Sequence, residues 1–207
     1  WFEQCPMQVN LLYYNNLFPV FLNSIFDSNE AEEGGGMYFR NINTGTSLHL
    51  VEFVNNTATI EGGAVVFSST HFGSTIYNSN FTNNRVTQGR GGAASISTDN
   101  GNGVLMSNNM IYFYSCNFIE NVALDGGALY ISDGNVVDFV SCKLNDNTAT
   151  TGRGGAIALN YLNTIGVDTC ELNNNIAATS GGSIDAAESN TISMTDVLII
   201  NNTCQTV

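Results

Sequence analysis

Cys116-Asn-Phe-Ile-Glu-Asn121-Val-Ala-Leu-Asp-Gly126-Gly-Ala-Leu-Tyr-Ile131 is the stretch whose reading decides the fold. It runs from an apolar residue through two variable residues to an asparagine, then to a small residue, a glycine pair and a short apolar strand. The same unit returns along the chain. Its first half reads Phe26-Asp-Ser-Asn29, Phe53-Val-Asn-Asn56, Phe81-Thr-Asn-Asn84, Phe118-Ile-Glu-Asn121, Leu144-Asn-Asp-Asn147, Leu172-Asn-Asn-Asn175 and Ile199-Ile-Asn-Asn202. The asparagines stand 27, 28, 37, 26, 28 and 27 residues apart. Two residues after each come Ala31, Ala58, Val86, Ala123, Ala149, Ala177 and Cys204. Glycine pairs follow six of the seven, from Gly35-Gly36 to Gly181-Gly182. Seven copies in register are a repeat array.

Helical repeats need apolar residues at i, i+3, i+4 and i+7. These segments alternate instead, as in Ile111 and Phe113, Val137 and Phe139, or Ile165 and Val167. A second alternating strand follows the glycines: Val65 and Phe67, Leu129 and Ile131, Ile157 and Leu159. Short period-two strands between Gly and Asn corners, repeated at near-constant length, predict a coil of parallel strands, each pairing with its counterpart ~4.8 Å away. The expectation is an all-β, parallel β-helix (solenoid) of about seven coils, forming a single domain over residues 1–207. Residues 1–16 read as an incomplete leading coil, 97–109 as an inserted loop that accounts for the 37-residue spacing, and 192–207 as an incomplete trailing coil.

Side-chain period then assigns columns. Ser24, Val51, Ser79, Cys116, Cys142, Cys170 and Val197 share parity with the Phe/Leu column and are expected to point inward. The residues between them, among them Glu52, Lys143 and Glu171, are expected outside, with Lys143 and Glu171 on adjacent coils. Asn29, Asn56, Asn84, Asn121, Asn147, Asn175 and Asn202 read as a turn column, because Asn tolerates the left-handed conformation and its amide both donates and accepts. Stacked, they make a structural ladder of the cross-β kind. Cys116, Cys142 and Cys170 fall on three successive coils; buried thiols as fillers and one disulfide among the three both fit that placement.

Composition excludes several functions. Five Lys and Arg face eighteen Asp and Glu, a formal charge of −13, so the basic footprint that nucleic-acid binding requires is missing. No apolar run approaches the ~20 residues of a membrane span. No cofactor or metal motif is found: His49 and His71 lack ligand spacing, and Asp27, Glu30, Glu32 and Glu33 lack that of a calcium loop. Glu120 and Asp146 share an outward column on successive coils. The chain opens on Trp1 with neither Met nor a signal peptide, which reads as a processed form or an excerpt. Three glycosylation acceptors occur, at Asn55, Asn80 and Asn201, all at positions expected to face solvent.

The pattern resembles the FxxN and GGA[I] repeats of polymorphic outer membrane proteins, and the wider group of right-handed β-helix surface proteins related in fold to pectin lyases. The resemblance spans Phe26 to Cys204 and implies a right-handed β-helix at the cell surface or outside the cell, in adhesion or structure. The membrane β-barrel of the bacterial autotransporters has no counterpart in this sequence.

Polysaccharide cleavage is the enzyme function that this fold group suggests, and it needs a basic proton abstractor or converging carboxylates. Arg90 and Arg153 directly precede glycine pairs and read as corner residues, with no acidic cluster expected in matching register on the adjoining coils. The expectation is therefore a non-enzymatic extracellular structural protein. Its half-coils at the two ends are complementary, so subunits would stack head to tail into an open filament. Cys5 and Cys204 fall near the same corner and are assigned to an intersubunit disulfide, with pairing within the chain or free thiols as the rival arrangement. The alternative function is a cell-surface adhesin module that binds a glycan or receptor through its loops.

Overall fold

Each repeat supplies four short strands separated by tight corners, because its apolar residues alternate and its Gly, Asn and Ser residues permit left-handed backbone between them. The computed structural model describes residues 19–40, 43–68, 71–97 and 109–205. These residues wind as an all-β parallel solenoid of about six turns. The first sheet has seven strands, from Val20–Leu22 to Thr191–Thr195, and the second has seven, from Ile25–Asp27 to Leu198–Ile200. The third has seven, from Glu30–Glu33 to Thr203–Cys204, and the fourth has six, from Met37–Arg40 to Ile184–Ala186. A two-stranded accessory sheet pairs Asn43–Thr44 with His71–Phe72. The expected leading half-coil at 1–16 lies outside the described residues, as do residues 98–108 of the inserted loop.

Register follows the repeat. Phe26, Phe53, Phe81, Phe118 and Leu144 are successive partners in the second sheet, and Leu172 pairs with Ile199. The 37-residue spacing leaves this register intact, since Phe81 still pairs with Phe118. Inside, the aromatic rings stack: Phe26 on Phe53 at 5.0 Å, Phe53 on Phe81 at 5.0 Å and Phe81 on Phe118 at 4.6 Å. A second stack joins Phe113 to Phe139 at 5.2 Å. Phe53, Phe81, Phe113, Phe118 and Phe139 are fully buried, each contributing ~1.5–3 kcal/mol by leaving water. The coil cannot hide these faces alone; stacking does it.

Seven asparagines form one continuous ladder along the axis. The Nδ2 of Asn29, Asn56, Asn84, Asn121, Asn147 and Asn175 donates to the Oδ1 of the next Asn at 2.8, 3.0, 3.1, 3.0, 3.0 and 2.9 Å. The main-chain N–H of each of these six donates to the same oxygen. The Nδ2 also reaches back to a carbonyl of the previous coil, as Asn121 does to Phe81 at 2.9 Å and Asn202 to Leu172 at 2.7 Å. The left-handed residue is not the ladder asparagine but its predecessor: Ser28, Asn55, Asn83, Glu120, Asp146, Asn174 and Asn201 all have φ between 54° and 59°. That correction has a simple cause. The left-handed residue turns its own side chain to solvent and swings the next one inward.

The glycine pairs serve close approach. Gly126 has φ +60°, and a Cβ on Gly127 would lie 2.1 Å from the carbonyl oxygen of Gly155 one coil away. Only glycine lets the main chains of successive coils meet there.

Candidate functional site

Three places on the solenoid give solvent access to charged, aromatic or aliphatic side chains in register. They are the corner before the glycine pairs, the outer face of the first sheet, and the face of the last described coil.

At the corner, Glu61, Arg90 and Asp125 bridge one another in parallel register on successive coils. This corrects the expectation that Arg90 has no matching acid. The Arg90 Nη1 donates to the Tyr130 hydroxyl at 2.8 Å, and its guanidinium carbon lies 4.7 Å from that ring's centroid. Burial pushes the Tyr130 phenol up, with Arg90 and Arg153 opposing. Arg153 is corrected in the same way. Its Nη1 meets Asp185 at 2.9 Å and the Leu159 carbonyl at 3.1 Å, and its main-chain N–H donates to Asp125 Oδ1 at 2.9 Å. Opposite charges therefore alternate along this edge, and each arginine is engaged in holding coils together. Lys143 and Glu171 pair at 3.4 Å on the second sheet, with both side chains about half exposed, a contact worth little in water.

The outer face of the first sheet is aromatic. Tyr77 and Tyr114 stack at 4.9 Å with 11° between planes, Tyr112 stands 6.4 Å from Tyr114, and the His49 ring meets Tyr77 edge-on at 6.3 Å. Asp138 sits on the next coil, in register with Tyr112 on one side and Gly166 on the other. Desolvation, Tyr77 and Asp138 together raise the Tyr114 phenol above its ordinary value.

Cys116, Cys142 and Cys170 are buried and free, and Cys204 is exposed and free. The thiols of the first three donate to the carbonyls two residues back, Tyr114, Val140 and Asp168. Hydrogen bonding to Cys116 holds the Cys142 proton, and its pKa is pushed up to about 12; bonding to Cys142 and burial push Cys170 higher still. At Cys142 and Cys170 a thiolate is thus disfavoured. Cys5 lies outside the described residues. Cys204 pairs in register with Ala177, the column of small residues that follows the ladder.

Among the sequons, Asn55 and Asn201 occupy left-handed corners and are exposed, while Asn80 is half-buried on the second sheet and accepts a hydrogen bond from Asn117 at 2.8 Å. Glu120 and Asp146 share the left-handed corner column. Among the described residues, no three His, Cys, Asp or Glu side chains gather as metal ligands.

On the last described coil, the inward residues stand open. Ile192, Met194 and Ile199 are 38%, 42% and 47% exposed, whereas their register partners Ile165, Val167 and Leu172 are at 0%, 1% and 0%. No family model, curated protein or solved structure matches the chain.

Proposed function

We propose that the chain is a non-enzymatic structural β-solenoid of the cell surface or extracellular space, whose copies stack head to tail into a fibre. The observation that carries this reading is the uniform stacking of the solenoid, in which each coil receives the next in one register, as Ile165 receives Ile192 and Leu172 receives Ile199. Coils that pair in this way along one chain have the surface that pairs with coils of a second copy. The likeness of the repeat to the FxxN and GGA[I] units of polymorphic outer membrane proteins supports surface display. Cys204 is exposed and free, and this reading assigns it to a bond with Cys5 of the next copy.

Sedimentation and electron microscopy of the purified chain over a concentration series test the reading. Fibres that lengthen with concentration are expected, and Ile199→Asp, which charges the face of the last described coil, is expected to leave single rods. A wild-type chain that stays monomeric at high concentration overturns the proposal. For the bond, non-reducing electrophoresis of the fibre should give a ladder that collapses with reductant. A ladder unchanged by Cys204→Ser removes the linkage but leaves the stacking.

A further inference from the structure

The seven strands of the first sheet carry no lysine or arginine, while their outward positions hold His49, Tyr77, Tyr112, Tyr114, Asp138 and Asp168. The separation of Tyr77 and Tyr114 is close to the strand spacing, so the ring normals run along the solenoid axis. Tyr77 covers one face of Tyr114. The opposite faces of Tyr112 and Tyr114 look toward the next coil, where Asp138 and Val140 are their partners.

Asp138 is unusual among the outward carboxylates of this face. It makes no hydrogen bond or ion pair among the described residues, whereas Asp168 accepts a hydrogen bond from Thr169 at 3.0 Å. On its far side stands Gly166, where a Cβ would lie 2.4 Å from Asp138 Oδ1. The carboxylate therefore leans over Gly166 into the space a side chain there would fill, on the side of Asp138 opposite Tyr112. Gly166 has no positive φ, so backbone conformation is not what calls for glycine there.

We propose that Asp138, flanked by Tyr112 and Tyr114 and opened by Gly166, is the recognition site for an arginine side chain on a segment of a partner protein. The chemistry is complementary at each point. An unpaired carboxylate takes the two parallel N–H groups of a guanidinium, and the same planar cation lies against the negative face of a phenol. Arginine fits better than lysine, because a flat fork reaches the carboxylate while keeping ring contact. The chain's charge of −13 draws such a segment in. The geometry argues against a neutral glycan here, since the free faces of Tyr112 and Tyr114 turn along the axis toward Asp138 and Val140 and make no outward row of rings for sugars to stack on. The site lies on the flank of the rod and is independent of end-to-end stacking.

The test is an amide chemical-shift titration of the full chain with the peptide Gly-Arg-Gly-Arg-Gly, and with a neutral oligosaccharide in parallel. Shifts at Tyr112–Tyr114, Asp138 and Gly166 are expected with the peptide alone. Asp138→Asn should weaken binding about tenfold or more by removing the ionic partner. Gly166→Ala should weaken it comparably with no change of charge, by displacing the carboxylate. Glu120→Gln, an equal charge change on another face, should alter it less than about twofold. The proposal is overturned if Glu120→Gln weakens binding as much as Asp138→Asn, if Gly166→Ala binds as wild type does, or if the oligosaccharide moves these amides and the peptide does not.

Discussion

Two corners of the solenoid are built alike and filled differently. At the corner between the first and second sheets, a left-handed residue (Asn23, Leu50, Asn78, Ser115, Ser141, Thr169 or Asp196) precedes an inward one. The inward residue there is Ser, Cys or Val. At the corner between the second and third sheets, a left-handed residue again precedes an inward one, and that residue is asparagine in all seven copies. The difference lies in how many groups the side chain answers. At the first corner, the Ser79 hydroxyl accepts the buried Val51 N–H at 3.1 Å and donates to the Tyr77 carbonyl, which already accepts the Leu50 N–H at 3.1 Å. The Cys170 sulfur likewise accepts the Cys142 N–H at 3.2 Å, whereas Val51, in the same column, can make neither bond. At the second corner, the N–H of each asparagine from Asn29 to Asn175 is held by the amide oxygen of the next. Remove one asparagine and a buried N–H loses its partner. The asparagine is repeated without exception where one amide oxygen takes both the N–H and the Nδ2 of its neighbour, and the single hydroxyl or thiol of the other corner, which takes an N–H in some coils, varies.

The largest effect expected from this contrast is that of Asn121→Leu. The substitution strands the buried Asn84 N–H, and it takes one bond each from the Asn84 Nδ2, which keeps the Phe53 carbonyl, and from the Phe81 carbonyl. At ~1–3 kcal/mol for the stranded group and ~0.5–1.5 kcal/mol for each further bond, the loss is about 3 kcal/mol in denaturant unfolding. Cys116→Val at the other corner should cost under about 1 kcal/mol, and a comparable loss there would break the contrast.

The middle effect is a pH dependence carried by the first corner. Because the Cys142 value is raised on folding, the folded chain holds that proton more tightly than the unfolded one. The contribution is complete below the ordinary thiol value of ~8.5 and is lost as pH climbs toward about 12. Stability measured by thermal melting should fall across that window by up to ~1.4 kcal/mol per pH unit for this thiol. Cys142→Ser keeps the bond to Val140, as Ser79 does to Tyr77, and should lower the slope by this thiol's share while leaving that of Cys170, which is raised as well. An equal slope in the variant would assign the titration to other groups.

The smallest effect is on the left-handed side of the second corner. Glu120 at φ 57° is exposed, and Asn is better suited to that backbone. Glu120→Asn should raise stability by ~0.5–1 kcal/mol, and a loss would mean that the corner reads its side chain after all.

Much of the fold was legible because a solenoid translates sequence period directly into space. The column of Phe26, Phe53, Phe81 and Phe118 and the asparagine column were visible at a constant offset of three residues from each other, and both run along the inside. A second ladder was not read, although its signal was there. Asn109, Asn135, Asn163 and Asn190 recur at 26, 28 and 27 residues, and Asn109 donates to Asn135 at 2.7 Å and Asn163 to Asn190 at 3.1 Å. It begins only after the inserted loop, so it has no counterpart in the first coils.

What the sequence by itself determined is the coil: the strand period, the inward columns and the positions that must bend. What only the tertiary structure decided is which outward residues meet. Glu61, Arg90 and Asp125 are 29 and 35 residues apart, unequal intervals, yet they bridge in register. Tyr77 and Tyr114 stack across the 37-residue spacing. Asp138 leans over Gly166 because that residue, one coil away, has no side chain. The physical reason is the same in each case. Inward residues are selected by burial, which leaves a periodic mark on the chain, whereas outward neighbours are set by how many residues each corner absorbs, and that number varies from coil to coil.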